Sequence, residues 1–196
     1  STNTVFFSLL AIFTALTTVA TIAFVIPFPS TQGYFNLGDT FAMLSGFLLG
    51  PVGGFFAGGA GSALGDVFLG FPAFVPITFL AKGSEGFLVG LLSFRTQKTS
   101  RVSGWDVLSL FLGSLAMLMG YMVGEVFLLG FSFEIAFAEL LAINSVQVIM
   151  GSVFTITVGP LLRTYLKQHF SQDEDAPEED RSPPDENGIR GHHIFL

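Results

Sequence analysis

Lys82 and Glu85 stand three residues apart in PITFLAKGSEGFLVGLL, a run that is otherwise almost wholly apolar or small. Residues three apart share one helix face. A lysine near the middle of a membrane helix costs about 2.5–3.5 kcal/mol on insertion scales, so it must meet a counter-charge or a water-filled cavity. Asp39, Asp66, Glu125, Asn144 and Gln147 are further polar side chains within apolar stretches. Such a set could bind a small polar molecule, with Lys82 suited to an anionic or strongly accepting group and the carboxylates to protonated or donor-rich groups. It could also act in acid–base chemistry through Glu85, Glu125 or Asp66. The bland alternative is a Lys82–Glu85 or Lys82–Asp66 pair that only fixes helix packing.

Elements able to hold these side chains follow from composition. The chain has 196 residues, 51% hydrophobic and 12% charged, against roughly 25% charged in ordinary soluble domains. Stretches of about 20 apolar residues, the length of a hydrocarbon crossing, recur along it. The reading is an all-α polytopic membrane protein with six transmembrane helices, at about 5–26, 38–50, 52–70, 74–94, 107–130 and 139–166. Pro27 and Pro29 end the first, because proline disfavours helix continuation. The first run is too long for a secretory signal and no Lys or Arg precedes it. The chain begins at Ser1 without methionine, which suggests that a segment has been removed.

Arg95, Lys98 and Arg101 fall between spans four and five, and Arg163 and Lys167 end span six. Lys and Arg are enriched in short cytoplasmic loops, so both termini are expected in the cytoplasm. The polar groups of spans two to six then fall between the bilayer centre and the outer face. A mainly apolar pocket with a few convergent polar groups is the usual form of a small-molecule site. Above it, GYFNLGD offers Tyr34 and Phe35 for stacking and Asn36 for hydrogen bonding, either as a lid or as part of an interfacial aromatic belt.

Net charge is −7, but eight of the fifteen acids follow residue 170. A transmembrane domain over 1–170 is therefore expected to precede an acidic, disordered cytoplasmic tail over 171–196. His192 and His193 in that tail are read as incidental and no metal site is assigned. No basic cluster suggests nucleic-acid binding. Cysteine is absent, which excludes disulfides and thiolate chemistry. No cofactor is expected, and there is no nucleotide-binding GxxxxGK[ST] loop. Gly50, Gly54 and Gly58, and Gly61 and Gly65, recur every four residues, a spacing that lets helix backbones approach closely.

Over residues 34–92, through NLGD, the GP turn, GSALGD and the lysine after PITFLA, the sequence resembles the substrate-binding S components of energy-coupling factor (ECF) vitamin transporters. The similar group includes members assigned to riboflavin, hydroxymethylpyrimidine or pyridoxine-like substrates. The resemblance implies a six-helix bundle in the cell membrane that captures a vitamin or precursor from outside. Delivery would then involve a transmembrane coupling subunit and two cytoplasmic ATPases, with no catalysis in this chain. It places the substrate pocket at the outer helix ends and their loops, where Tyr34, Asn36, Asp39, Asp66, Lys82, Glu85, Glu125, Asn144 and Gln147 lie. It also implies that AxxxA on the first helix, here Ala11 and Ala15 of AIFTA, contacts the coupling subunit, although with Ser8 these small residues could pack within the bundle.

Two other classes stay open at this stage. An intramembrane enzyme would use the carboxyl groups above, but HExxH, GxSxG and paired metal-ligand motifs are all absent from the sequence. A stand-alone secondary carrier usually shows two related halves, and none is visible between 1–95 and 96–170.

Overall fold

The computed structural model describes residues 2–28, 33–96 and 101–171. The tail expected over 171–196, with its two histidines, lies outside the described residues beyond Ser171. The elements run α1 (Thr2–Ala23), β1 (Ile26–Pro27), β2 (Tyr34–Phe35), α2 (Gly38–Leu69), α3 (Val75–Ser93), a short 3-10 turn (Phe94–Thr96), α4 (Gly104–Phe127), α5 (Phe133–Glu139), a π-helical turn (Leu140–Asn144) and α6 (Ser145–Ser171). Strands β1 and β2 form a two-residue antiparallel ladder, Ile26 opposite Phe35 and Pro27 opposite Tyr34.

Among the described residues, five helices rather than six are long and apolar enough to cross a membrane: Thr4–Ala23, Gly38–Leu69, Val75–Ser93, Gly104–Phe127 and Phe133–Leu166. The all-α class holds and the count changes, because the stretches read as spans two and three belong to one element. That element is bent back on itself. Gly50 takes φ 80° and ψ −171° just before Pro51, a backbone region essentially reserved for glycine. A Cβ placed on Gly58 would stand 3.0 Å from the Ala42 Cβ, and one on Gly54 would stand 2.6 Å from the Gly46 Cα. Only an antiparallel hairpin brings those pairs together. The first arm, 38–49, rises about 18 Å at 1.5 Å per residue, well short of a hydrocarbon layer of about 30 Å.

The hairpin packs on α3 backbone to backbone, since a Cβ on Gly54 or Gly86 would run into the other's carbonyl. Without a hydrophobic driving force between helices, such close contact is what dispersion attraction requires. On the other side, Thr18 of α1 donates to the Gly61 carbonyl at 2.8 Å. Met43, Phe47, Ile77, Val89, Leu110 and Met117 form the centre of the apolar core.

Loop contacts define two ends. At one, the Tyr34 ring stacks on Phe71 at 4.9 Å and Phe74 meets Phe131 edge-on at 6.3 Å. At the other, Arg95 covers the Trp105 ring at 4.9 Å, close to the α2 hairpin turn, where Phe94 lies beside Gly50. Helix starts follow ordinary capping chemistry. Asp106, in the first turn of α4, accepts from the Ser103 N–H at 2.9 Å, and the Ser132 hydroxyl accepts from Ile135 N–H at the start of α5, each satisfying an otherwise orphaned donor.

Candidate functional site

The short first arm of α2 leaves room above Gly38 that neighbouring spans fill with polar side chains. Its first turn carries Asp39, and the Lys82 ammonium of α3 reaches both Asp39 carboxylate oxygens at 2.6 Å. Both residues are about 1% exposed. Lys82 is thus paired with Asp39, and neither Glu85 nor Asp66 is its partner. Periodicity within one helix could not reveal this, since Asp39 comes from a different element 43 residues away. Glu85 is fully buried beside that pair and couples electrostatically to both of its members.

Above the pair, hydrogen bonds from Tyr34 and Asn36 fasten the loop. The Tyr34 hydroxyl donates to the Asp66 carboxylate. Burial, then the Asp66 charge, push the Tyr34 phenol above its ordinary range, so it stays a donor at neutral pH. The Asn36 N–H donates to Gln147 Oε1 at 2.6 Å, while the Asn36 side chain accepts from Gly38 N–H at 2.8 Å and so satisfies an otherwise orphaned donor at the start of α2. Gln147 and Asn144 are brought onto this face by the π-helical turn, which is closed by Ser145 donating to the Leu140 carbonyl at 2.8 Å. Such turns insert a residue into a helix and commonly occur at functional sites.

Between loop and pair lies a small cavity of about 20 Å³ with polar side chains in its wall, room for roughly one water. Tyr34, Asn36, Asp66, Lys82, Asn144 and Gln147 line it. Asp39 reaches it only through Lys82, and Glu85 and Glu125 are not in its wall. The sequence reading missed Thr21, Ser62, Thr78, Tyr121 and Glu139, together with Gly33 and Phe74. Tyr121 donates to Thr78 at 2.9 Å, and its ring lies 5.8 Å from the Lys82 ammonium. Glu139 fits because Gly33 has no side chain: its carboxylate occupies the place of a Cβ there. Glu125 stands next to Glu139, fully buried. Larger clefts, of about 400–630 Å³, are almost wholly apolar and open on the outer faces of the helices.

Asp39, Asp66 and Glu85 thus lie around Lys82, and Glu139 and Glu125 lie side by side at the same end. Every one of them is at most 3% exposed. Away from the cavity, Ser8, Ala11 and Ala15 face outward on α1. The alternative that this small stripe packs inside the bundle does not hold.

The family model for the S component of ECF-type riboflavin transporters matches residues 1–171. A protein of Pyrococcus woesei described as the uncharacterized protein in gap 3′ region is 44% identical over 104 residues, 53% of this chain and 67% of the relative. The thiamine precursor transporter HmpT of Lactococcus lactis subsp. cremoris is 31% identical over 156 residues, covering 79% of this chain and 86% of the relative.

Proposed function

Because the chain belongs to the family of S components of ECF-type riboflavin transporters, and is thus a multi-pass membrane protein, we propose that it captures a vitamin or vitamin precursor at the outer face of the cell membrane. It then hands the molecule inward without altering it. The observation that carries this reading is the small cavity, walled in part by polar side chains, beneath the Tyr34–Asn36 loop at one end of an otherwise apolar bundle. A catalytic site in the membrane would need a route for water and a place for two products. This cavity is a single small chamber whose wall mixes hydrogen-bonding groups with apolar surface.

At about 20 Å³ the chamber is far below the few hundred Å³ of typical ligand pockets, so capture requires the loop to lift. Its fastenings include the hydrogen bonds Tyr34 to Asp66 and Asn36 to Gln147, above a two-residue ladder at the base of the loop. Breaking two hydrogen bonds is a small cost that a bound heterocycle can offset by stacking on Tyr34, Phe74 or Tyr121. The relative named as a thiamine precursor transporter favours a one-ring precursor over a flavin.

Inward delivery would use a transmembrane coupling subunit and two cytoplasmic ATPases, with the outward-facing Ala11 and Ala15 stripe as the contact. The end bearing Arg95, Arg101 and Arg163 is taken as cytoplasmic, which puts the pocket outside and both termini inside. Mass spectrometry of small molecules retained on the purified chain tests the reading. A single vitamin-like compound, released unchanged on denaturation, is expected; a retained product of bond cleavage would favour an enzyme instead.

A further inference from the structure

Glu85 is the buried acid that capture leaves idle. It lies on the same face of α3 as Lys82, fully buried and outside the cavity wall. No N–H or O–H among the described residues reaches either of its carboxyl oxygens. The group that does stand within hydrogen-bonding reach is another carboxyl, that of Asp39. Asp39 already accepts from the Lys82 ammonium through both oxygens at 2.6 Å. Close helix packing seals the three side chains in, each at most 1% exposed. Gly151 of α6 lies against Asp39, where a Cβ would stand 3.2 Å from the Asp39 Cβ, and Gly113 of α4 lies against Glu85, where a Cβ would stand 3.0 Å from the Glu85 carbonyl oxygen. The charges acting on Glu85 are Asp39 from α2 and Lys82 from its own helix. Asp66 and Tyr121 also face Lys82, while the ionic groups Asp106 of α4 and Arg163 of α6 pair with each other at the opposite end.

Two carboxyl groups sharing one buried site cannot both be ionised, and a hydrogen bond between them needs a proton. We infer that Glu85 and Asp39 hold one proton between them, donated by Glu85 and accepted by Asp39, so that Lys82, Asp39 and Glu85 form a neutral three-member unit beneath the cavity. One ammonium facing two carboxylates would leave a net negative charge in an apolar interior, and a single proton cancels it. The site's ligand is thus a proton, and it belongs to the pair rather than to either residue. A second acid can therefore be buried beside an ion pair that is already complete. Asp39 lies in the first turn of α2, next to the start that Asn36 caps through Gly38 N–H. Losing the proton would set two carboxylates against each other where the loop joins the hairpin. The unit is firm while it keeps its proton and loosens as rising pH removes it, whatever molecule the cavity binds.

The test is infrared spectroscopy of the purified full chain at neutral pH, in light and in heavy water. A protonated carboxyl group gives a C=O stretch above the amide and carboxylate bands, and the stretch shifts on deuteration. The parent chain should show such a band. Glu85→Gln, which still offers Asp39 a donor, should lose the intensity of one carboxyl group, and the difference from the parent isolates this pair from other buried acids. Asp39→Asn removes the acceptor and frees Lys82 to pair with Glu85, so the same intensity should vanish there too. Raising the pH should lower the parent's unfolding midpoint more steeply than that of Glu85→Gln. A parent chain without the band would overturn the proton site, and this measurement needs no variant. A folded Glu85→Gln that keeps the full intensity would overturn it as well. Should that variant not fold, a folded Asp39→Asn with undiminished intensity would do the same.

Discussion

Two buried ion pairs occupy opposite ends of the bundle, and they are built differently. Far from the cavity, the Arg163 guanidinium meets Asp106 at 3.4 Å, reaches the Phe47 carbonyl at 3.5 Å and lies 3.7 Å over the Phe47 ring. Asp106 also accepts from the Ser103 N–H. One cation faces one anion there, with a backbone carbonyl and an aromatic ring taking up part of the remaining bonding capacity. At the pocket end the Lys82–Asp39 pair lies beside further buried carboxyl groups, Asp66 and Glu85 among them, and the cavity wall holds a buried hydroxyl, Ser62, and an amide nitrogen, Asn144, without partners among the described residues. A charge-balanced pair holds helices together. An unbalanced, partly unsatisfied cluster is tolerated only where a further group can complete it.

Breaking each pair gives the sharpest test of that contrast. Removing one partner of a buried pair strands the other charge and costs about 3–5 kcal/mol, so Lys82→Met and Arg163→Met should each lower the thermal unfolding midpoint strongly. Neutralising the stranded partner separates the two ends. Arg163→Met with Asp106→Asn should regain most of the stability and bind ligand as the parent does. Lys82→Met with Asp39→Asn should regain stability and still bind poorly. Equal ligand affinity in the two double variants would mean that the ends do not differ in role.

A smaller effect is expected at the loop. Tyr34→Phe removes the hydrogen bond to Asp66, worth about 1.5 kcal/mol for a charged acceptor, and should weaken ligand binding about tenfold, chiefly through faster release. Stopped-flow dissociation rates measure this, and a release rate like the parent's would show that Tyr34 is not a fastening. The smallest effect on the isolated chain is predicted for Ala11→Leu with Ala15→Leu, since both side chains face outward on α1. Ligand affinity should be unchanged while co-purification with the coupling and ATPase subunits is lost. Retained co-purification would remove the assigned contact.

Sequence periodicity carried much of this arrangement, for physical reasons that also mark where it failed. Lys82 was legible because a mid-helix lysine is costly in any membrane. Arg163 escaped notice as a buried group because it lies near a helix end, where a long cationic side chain is expected to reach the interface. Glu139 was passed over for a similar reason, since the sixth span was drawn to begin at that residue, whereas α5 starts at Phe133 and continues through the π-helical turn. Thr21 and Thr78 look like ordinary hydroxyls of membrane helices. Thr21 does bond back to the Thr17 carbonyl at 2.8 Å, and only tertiary contact brings it to the cavity wall. The hairpin at Gly50 was half visible: the GP turn was read correctly as a break, but hydropathy could not tell two full crossings from a short arm folded against a long one.

The Tyr34–Asn36 loop over a chamber of about 20 Å³ also sets a clock. Association would be gated by the fraction of time the loop is lifted, because apparent affinity falls in proportion to the population of the competent state. Raising the ligand concentration would speed capture only until loop opening became the slower event. Such a gate trades speed for retention: a molecule that has entered leaves no faster than the roof can open again.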